Sequence, residues 1–432
     1  AASMGYRKTG GSAFSAMRPG DLIAVKATGP GVYTLKNIPE VSGGMVVESP
    51  HSGRIYAMQG GFDVRLSPFN RATQAERQPG STIKPFVYAT ALDNGMTPAT
   101  LIVDGPFCVY QGARFGNKCF RNFGGASGSG EHTMRWGLEQ SRNLMTVRTA
   151  SQIGMEPIVE TIKTMGIGTH EPYLSTALGA GSTTVEKMVN AFSMLANHGR
   201  ELKPRLIDYV QDRRGKVIFP KNWRPCEGCN SDDWDGKPMP RFTPSGKQLM
   251  DPMTAYQVVH MLEGVVQRGT AQVLRDLNVP LFGKTGTTTG PTDVWFVGGT
   301  PDVVAGLYMG YDQPRSMGGY AQGGSLAAPV FKQFFLESLT DRPPVPFIAP
   351  KNIRMVRIDR QSGRRVYGAW PGTDPKAAII WEAFKPESEP RRTIREEEIK
   401  PAASAKRPDA PVQEGNGRRS DADFLDDRGG II

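Results

Sequence analysis

Three strand-like runs, 279–287, 293–300 and 303–311, follow one another with only short Gly, Pro and Thr turns between them. A parallel crossover needs about a dozen residues or more. Strands this close must pair antiparallel, as a meander, and a βαβ unit is excluded. Two hairpin signals lie far upstream. LIAVK (22–26) and GVYTL (31–35) flank ATGPG, and GMVVES (44–49) and RIYAMQGG (54–61) flank PHSG. The middle of the chain changes period. Pro79-Gly80 breaks it, Ser81 stands where a helix begins, and Phe86, Ala89, Thr90 and Leu92 continue at helical spacing until Asn94-Gly95. Further helices are expected near 132–151, 184–197, 251–267 and 326–341. Strands at both ends and helices between give an α+β class, an antiparallel sheet flanked by helices with a helical subdomain.

The last segment has another character. Pro386–Ile432 holds nine Lys/Arg, eleven Asp/Glu and five Pro, with almost no aromatic residues. Such a stretch buries too little apolar surface to offset its ordering entropy and is expected to be disordered. Its net charge is −2, so the remainder of the +10 chain carries +12. A basic excess suits nucleic acid, an anionic surface or an acidic polymer. The five histidines form no HExxH-like pair, and no aromatic-and-basic stripe supports nucleic acid. Gly283-Lys284-Thr285 resembles a phosphate loop, but Asn278 occupies the position of its first glycine. No stretch reaches the length of a transmembrane helix. The first residue is Ala1, so a targeting or anchoring segment is expected upstream of this chain.

Three short motifs occur in order: Ser81-Thr-Ile-Lys84, Ser141-Arg-Asn143 and Lys284-Thr285-Gly286-Thr287. Residues three apart share a helix face, so Lys84 lies within reach of Ser81. A serine is a poor nucleophile until a base takes its proton. A lysine serves as that base only when neutral, which burial or a second cation such as Lys284 promotes. A helix start at Ser81 would aim backbone N–H groups at a developing oxyanion. The strand-like KTGT run, if at a sheet edge, pairs with an extended peptide. Lys284, Thr285 and Thr287 would attract a carboxylate, and Gly286 permits close backbone approach. Ser141 and Asn143 would form the facing wall, Ser141 relaying a proton and Asn143 holding an amide.

The flanks carry a resemblance. IPEVSGGMVVESPHSGRIYAMQGGFD (38–63), FNRATQAERQPGSTIKPFVY (69–88), LGAGSTTVEKMVNAFSMLANHG (178–199) and KTGTTTGPTDVWFVGGTPDVVAGLYMGYD (284–312) resemble blocks of class A penicillin-binding proteins, the 1a type in particular. The three motifs are that family's signature set. The resemblance implies a penicillin-binding-protein/β-lactamase-like transpeptidase fold over 37–345. Residues 1–36 would be the remnant of a small OB-like β module, 346–385 an extended or β extension, and 386–432 a disordered tail. It implies a DD-transpeptidase that cross-links peptidoglycan stem peptides through an acyl-enzyme on Ser81, with Lys84 as general base and Ser141 as proton relay. Asn143 would anchor substrate. Lys284, Thr285, Gly286 and Thr287 would bind the terminal carboxylate side, and the backbone N–H groups of Ser81 and Thr287 would form the oxyanion hole. β-Lactams would acylate Ser81. No cofactor or metal is expected. The place of action would be the periplasmic face of the bacterial inner membrane, with other cell-wall synthesis proteins as partners and no nucleic acid. The family's glycosyltransferase blocks are not found, so glycan polymerisation is not expected of this chain.

Three alternatives stay open on sequence. Glu186 and Asn190 reproduce the Glu-x-x-x-Asn spacing of a deacylating loop, which would make the chain a β-lactam hydrolase; a D-Ala-D-Ala carboxypeptidase would use the same motifs. A non-enzymatic wall-binding sensor or scaffold is the other class. The four cysteines fall into two local pairs, Cys108/Cys119 and Cys226/Cys229. Outside the inner membrane disulfides persist, so two local disulfides are expected, with a four-cysteine zinc site as the alternative.

Overall fold

The computed structural model describes residues 20, 23–36, 39–110, 113, 114, 116–219, 233, 236, 246–339, 343–386, 388–391, 393 and 394. Strands β1 (Ala24–Gly29) and β2 (Val32–Lys36) form a two-stranded hairpin. The main sheet joins β3 (Val41–Glu48) and β4 (Ile55–Gln59) to three later strands, β11 (Phe282–Thr287), β12 (Asp293–Gly299) and β13 (Val304–Tyr311). Its order is β11-β12-β13-β3-β4, antiparallel throughout. The meander expected from the short turns therefore forms, and β11, the KTGT strand, is an edge.

Helices cover both faces of this sheet. Helix α5 (Val185–Ala196) packs on the face of Phe282, where Phe192 stacks at 6.1 Å between ring centroids. Helix α7 (Ala328–Ser338) covers the other, with Phe331 4.7 Å from Phe296. All seven residues of β12 are buried in consequence. A strand buried on two sides needs no polar alternation, which is why VWFVGG reads as a continuous apolar run after Asp293.

The helical subdomain surrounds α1 (Lys84–Asp93), in which nine of ten residues are buried. A helix enclosed on all sides shows little amphipathic pattern. Around it lie α3 (Asn143–Ile153), α4 (Met155–Thr164) and α6 (Pro252–Arg268). The helix expected over 132–151 is not continuous. Residues 130–133 form β8 (Gly130–Thr133), which pairs with β5 (Leu101–Asp104). Helix α2 (Met134–Glu139) then ends before Ser141, and α3 begins at Asn143. Ser141 has φ 55, a left-handed conformation that a helix cannot contain. Apolar residues that are buried in the structure stand on both sides of the break, so the sequence carries no mark of it.

Strands β6 (Phe107–Tyr110) and β7 (Asn117–Phe120) form a hairpin closed by a Cys108–Cys119 disulfide. That pairing removes two of the four thiolates a zinc site would need; Cys226 and Cys229 lie outside the described residues. Two short strands, β9 (Val210–Gln211) and β10 (Val217–Phe219), make a surface ribbon. A second sheet, β16-β14-β15-β17, follows α7: β14 (Arg354–Asp359), β15 (Arg365–Val366), β16 (Ile379–Phe384) and β17 (Thr393–Ile394). Its small core is Val356, Ile358, Ile380 and Phe384. The tail expected to be disordered from 386 begins with structure. Glu389 accepts Arg354 at 2.9 Å and Arg365 at 3.0 Å, and Thr393–Ile394 pairs in parallel with Arg365–Val366. Composition cannot report such capture, because these contacts come from a preceding sheet. Residues 395–432 lie outside the description. Among the described residues no helix is long and apolar enough to cross a membrane.

Candidate active site

Ser81 lies within the 3-10 turn Gly80–Ile83, and Lys84 opens α1 directly after it. The sequence placed both on one α-helix. Two close approaches hold the turn against the sheet edge. A Cβ on Gly286 would sit 2.4 Å from the Pro79 carbonyl, and one on Gly80 would sit 2.9 Å from the Thr287 carbonyl. Glycine is required at both places, and the residue before Ser81 packs directly on the Thr287 backbone.

Lys84 is fully buried. Its Nζ donates to the Ser141 carbonyl at 2.7 Å and to Asn143 Oδ1 at 2.7 Å, and lies 3.5 Å from Ser141 Oγ. Lys284, equally buried, donates to the same Ser141 Oγ at 2.7 Å and to the Thr285 carbonyl at 3.1 Å. The left-handed turn at Ser141 thus places one hydroxyl between two lysines. Burial, then the neighbouring Lys284 and Arg142 cations, push the Lys84 ammonium well below the usual lysine range, with Asp104 opposing. Burial pushes Lys284 down to about 7. Ammonium groups in this setting release a proton far more readily than in water.

A cleft of about 980 Å³ opens over these groups. Ser81, Ser141, Asn143, Thr285 and Thr287 line it. Strand alternation accounts for the difference between Lys284 and its neighbours. Thr285 and Thr287 share the face that looks into the cleft, whereas Lys284 points to the α5 side and reaches the site from behind. Thr285 Oγ1 shares a proton with Thr270 Oγ1 at 2.6 Å, and Thr287 Oγ1 accepts from the Gly323 N–H at 3.0 Å. Both hydroxyls are oriented. Asn143 is oriented too, since its Nδ2 donates to the Arg121 carbonyl at 3.0 Å.

Sequence reasoning missed the second layer of this wall. Asp104 is 1% exposed and accepts Arg142 at 2.6 Å, Asn122 at 2.8 Å and the Ser129 hydroxyl at 2.9 Å. Asn122 in turn receives the N–H groups of Asn143 at 2.9 Å and Leu144 at 3.2 Å, capping α3. Asp104 therefore fixes Arg142, between the two motif residues Ser141 and Asn143. Asn122 directly follows the disulfide hairpin, so Cys108–Cys119 clips the segment that carries it. A lone Asp and Asn 18 positions apart carry no sequence signal.

Glu186 and Asn190 do not line the cleft. Asn190 is buried and donates to Glu48 Oε1 at 2.9 Å. The geometry therefore lends no support to a water-activating carboxylate at Glu186. Among the described residues no group of three or more His, Cys, Asp or Glu side chains is placed to hold a metal ion.

The comparisons agree with this geometry. Residues 43–336 match the family described as penicillin binding protein transpeptidase domain. The chain is 40% identical over 377 residues to penicillin-binding protein 1A of Rickettsia bellii, covering 87% of this chain and 46% of that protein. It is 38% identical over 373 residues to penicillin-binding protein 1A of Rickettsia prowazekii, covering 85% of this chain and 46% of that protein. It thus spans about half the length of these curated relatives. The crystal structure of penicillin-binding protein 1A from Haemophilus influenzae superposes with a TM-score of 0.74 at 26% identity, over 86% of this chain and 57% of that one.

Proposed function

Because the chain belongs to the penicillin-binding-protein transpeptidase family, we propose that it cross-links peptidoglycan stem peptides as a serine DD-transpeptidase. The observation that carries the reading is the convergence of two buried lysines on the hydroxyl of Ser141, which lines the same cleft as Ser81. An extended donor peptide ending in D-Ala-D-Ala pairs along β11, its terminal carboxylate against Thr285 and Thr287. Lys84 accepts the Ser81 proton as Oγ attacks the penultimate carbonyl. The backbone N–H groups of Ser81 and Thr287 take the oxyanion. The amide C–N bond breaks, and Ser141 passes the proton to the departing D-Ala amine. An amine of a second stem then attacks the ester and frees Ser81. Lys284 acts from behind, through Ser141 and through its field on the carboxylate. Asn143 holds Lys84 and presents its amide to the donor backbone.

β-Lactams, which resemble D-Ala-D-Ala, enter the same path. The net charge of +10 suits an anionic wall polymer, and we place the domain on the periplasmic face of the inner membrane, working with other cell-wall synthesis proteins. Residues 1–36 are read as part of a small OB-like module and 37–345 as the catalytic domain. Incubation with a fluorescent penicillin followed by peptide mass mapping tests the reading. One adduct on Ser81 with a lifetime of hours is expected. No adduct on folded protein refutes it, and turnover within seconds favours the hydrolase or carboxypeptidase.

A further inference from the structure

The family match ends at residue 336, yet the sheet beyond it sends a charge into the catalytic body. Glu382, on β16, is fully buried. Its carboxylate grips the Arg135 guanidinium with both oxygens: Nη2 donates to Oε1 at 2.6 Å and Nε to Oε2. Arg135 belongs to α2 and is also buried. It donates to the His260 carbonyl of α6 at 3.0 Å and to Glu139 Oε1 at 3.3 Å. Glu139, the last residue of α2, receives Arg268 through 2.6 and 2.9 Å bonds. A Cβ on Gly264 would fall 2.0 Å from Glu139 Oε1, so the Glu139 carboxylate lies directly against the backbone of α6.

The network ends at both walls of the cleft. Ser141 stands two residues beyond Glu139. The Glu139 carbonyl accepts the Thr270 N–H at 3.2 Å, and the Thr270 hydroxyl is hydrogen-bonded to that of Thr285 at 2.6 Å. Buried ion pairs contribute little net stability, since desolvation offsets much of the attraction. Their bidentate geometry nonetheless admits one arrangement of the groups they join.

We infer that Glu382 is a positioning residue for acyl transfer: through Arg135 and Glu139 it sets the place of the Ser141 turn relative to Thr285. The C-terminal sheet is then a working part of the active site. This rests on the acyl-transfer reading above.

The test compares Glu382→Gln with Ile358→Ala, which weakens the small core of the same sheet without touching the network. Stopped-flow acylation by a fluorescent penicillin separates the saturation constant from the limiting rate, and melting temperatures are measured on each protein. Glu382→Gln is expected to lower the limiting rate by about tenfold or more while the saturation constant stays within about twofold. Ile358→Ala is expected to lose melting temperature and keep its rate within about twofold. Glu382→Asp, which keeps the charge on a shorter arm, serves if the glutamine variant does not fold, with a smaller rate loss expected. An unchanged limiting rate in the folded Glu382 variant, or an equal loss in Ile358→Ala, overturns the inference. Absence of any adduct on the wild-type protein overturns the acyl-transfer reading instead.

Discussion

The two lysines at Ser141 give a quantitative handle on the acid limb of acylation. Lys284→Met removes one positive charge and keeps an apolar side chain of similar length in a buried site. Both Nζ atoms contact Ser141 Oγ, at 2.7 and 3.5 Å, so they are at most 6.2 Å apart. At an effective dielectric constant of about 20, unit charges at that distance repel by roughly 2.7 kcal/mol, the equivalent of about two pH units. Lys84 acts as a base only when neutral, so the enzyme works above the pH at which Lys84 loses its proton. Burial, and after it the Lys284 cation, hold that pH down. Removing the cation makes the proton harder to lose and moves the acid limb upward, by about two pH units at that separation. Lys284 itself titrates near 7, so wild-type protein loses the repulsion as pH rises through that value. The variant should therefore show a simpler as well as a shifted limb. The assay is the second-order acylation rate with a fluorescent penicillin across pH. Thr285→Val is the control. It removes a carboxylate-facing hydroxyl without a charge, and should lower the rate equally at every pH. An acid limb at the wild-type position, or below it, in folded Lys284→Met would refute the electrostatic account.

Other outcomes follow from the same structure. Asp104→Asn leaves an amide among the Arg142, Asn122 and Ser129 donors, and no orientation of it satisfies all three. A loss of about 3 kcal/mol is expected in denaturant titration, with slower acylation because Arg142 joins Ser141 to Asn143. Burial raises the Glu48 carboxyl to about 7. A carboxyl raised on folding adds stability at low pH and loses it as pH climbs from its unfolded value through 7. Glu48→Gln, permanently neutral, should be up to about 3 kcal/mol more stable than wild type at pH 8 and indistinguishable at acid pH in thermal melts. Replacing Cys108 and Cys119 together by Ser opens the hairpin ahead of Asn122. Stability should fall by about 2 to 3 kcal/mol, and acylation should slow, as it should in wild type treated with reductant; an unchanged rate would separate the hairpin from the α3 cap.

Much of the fold was legible because it rests on local constraints. Turns too short for a crossover fixed the β11–β13 meander as antiparallel, and Pro79-Gly80 marked where the chain must turn before α1. The three motifs could be read in the same way, since each needs only three or four consecutive residues. The break at Ser141 was not legible. Its left-handed backbone is held by bonds from Lys84 and Lys284, 57 and 143 residues away. The structure at 388–391 and 393–394 was hidden for the same reason.

The sequence by itself determined the residue types of the chemistry: a serine, two lysines, a second serine, an asparagine and a strand with threonines. Their spacing along the chain decided which pairs are neighbours within an element. Only the tertiary structure decided that Lys284 stands behind the cleft and Thr285 and Thr287 in it, because that depends on which sheet face α5 and α7 cover. It also decided that Asp104, Asn122 and Glu382 belong to the site's support. Desolvation and charge proximity act through space, and a chain records only the groups that create them, not the distances at which they meet.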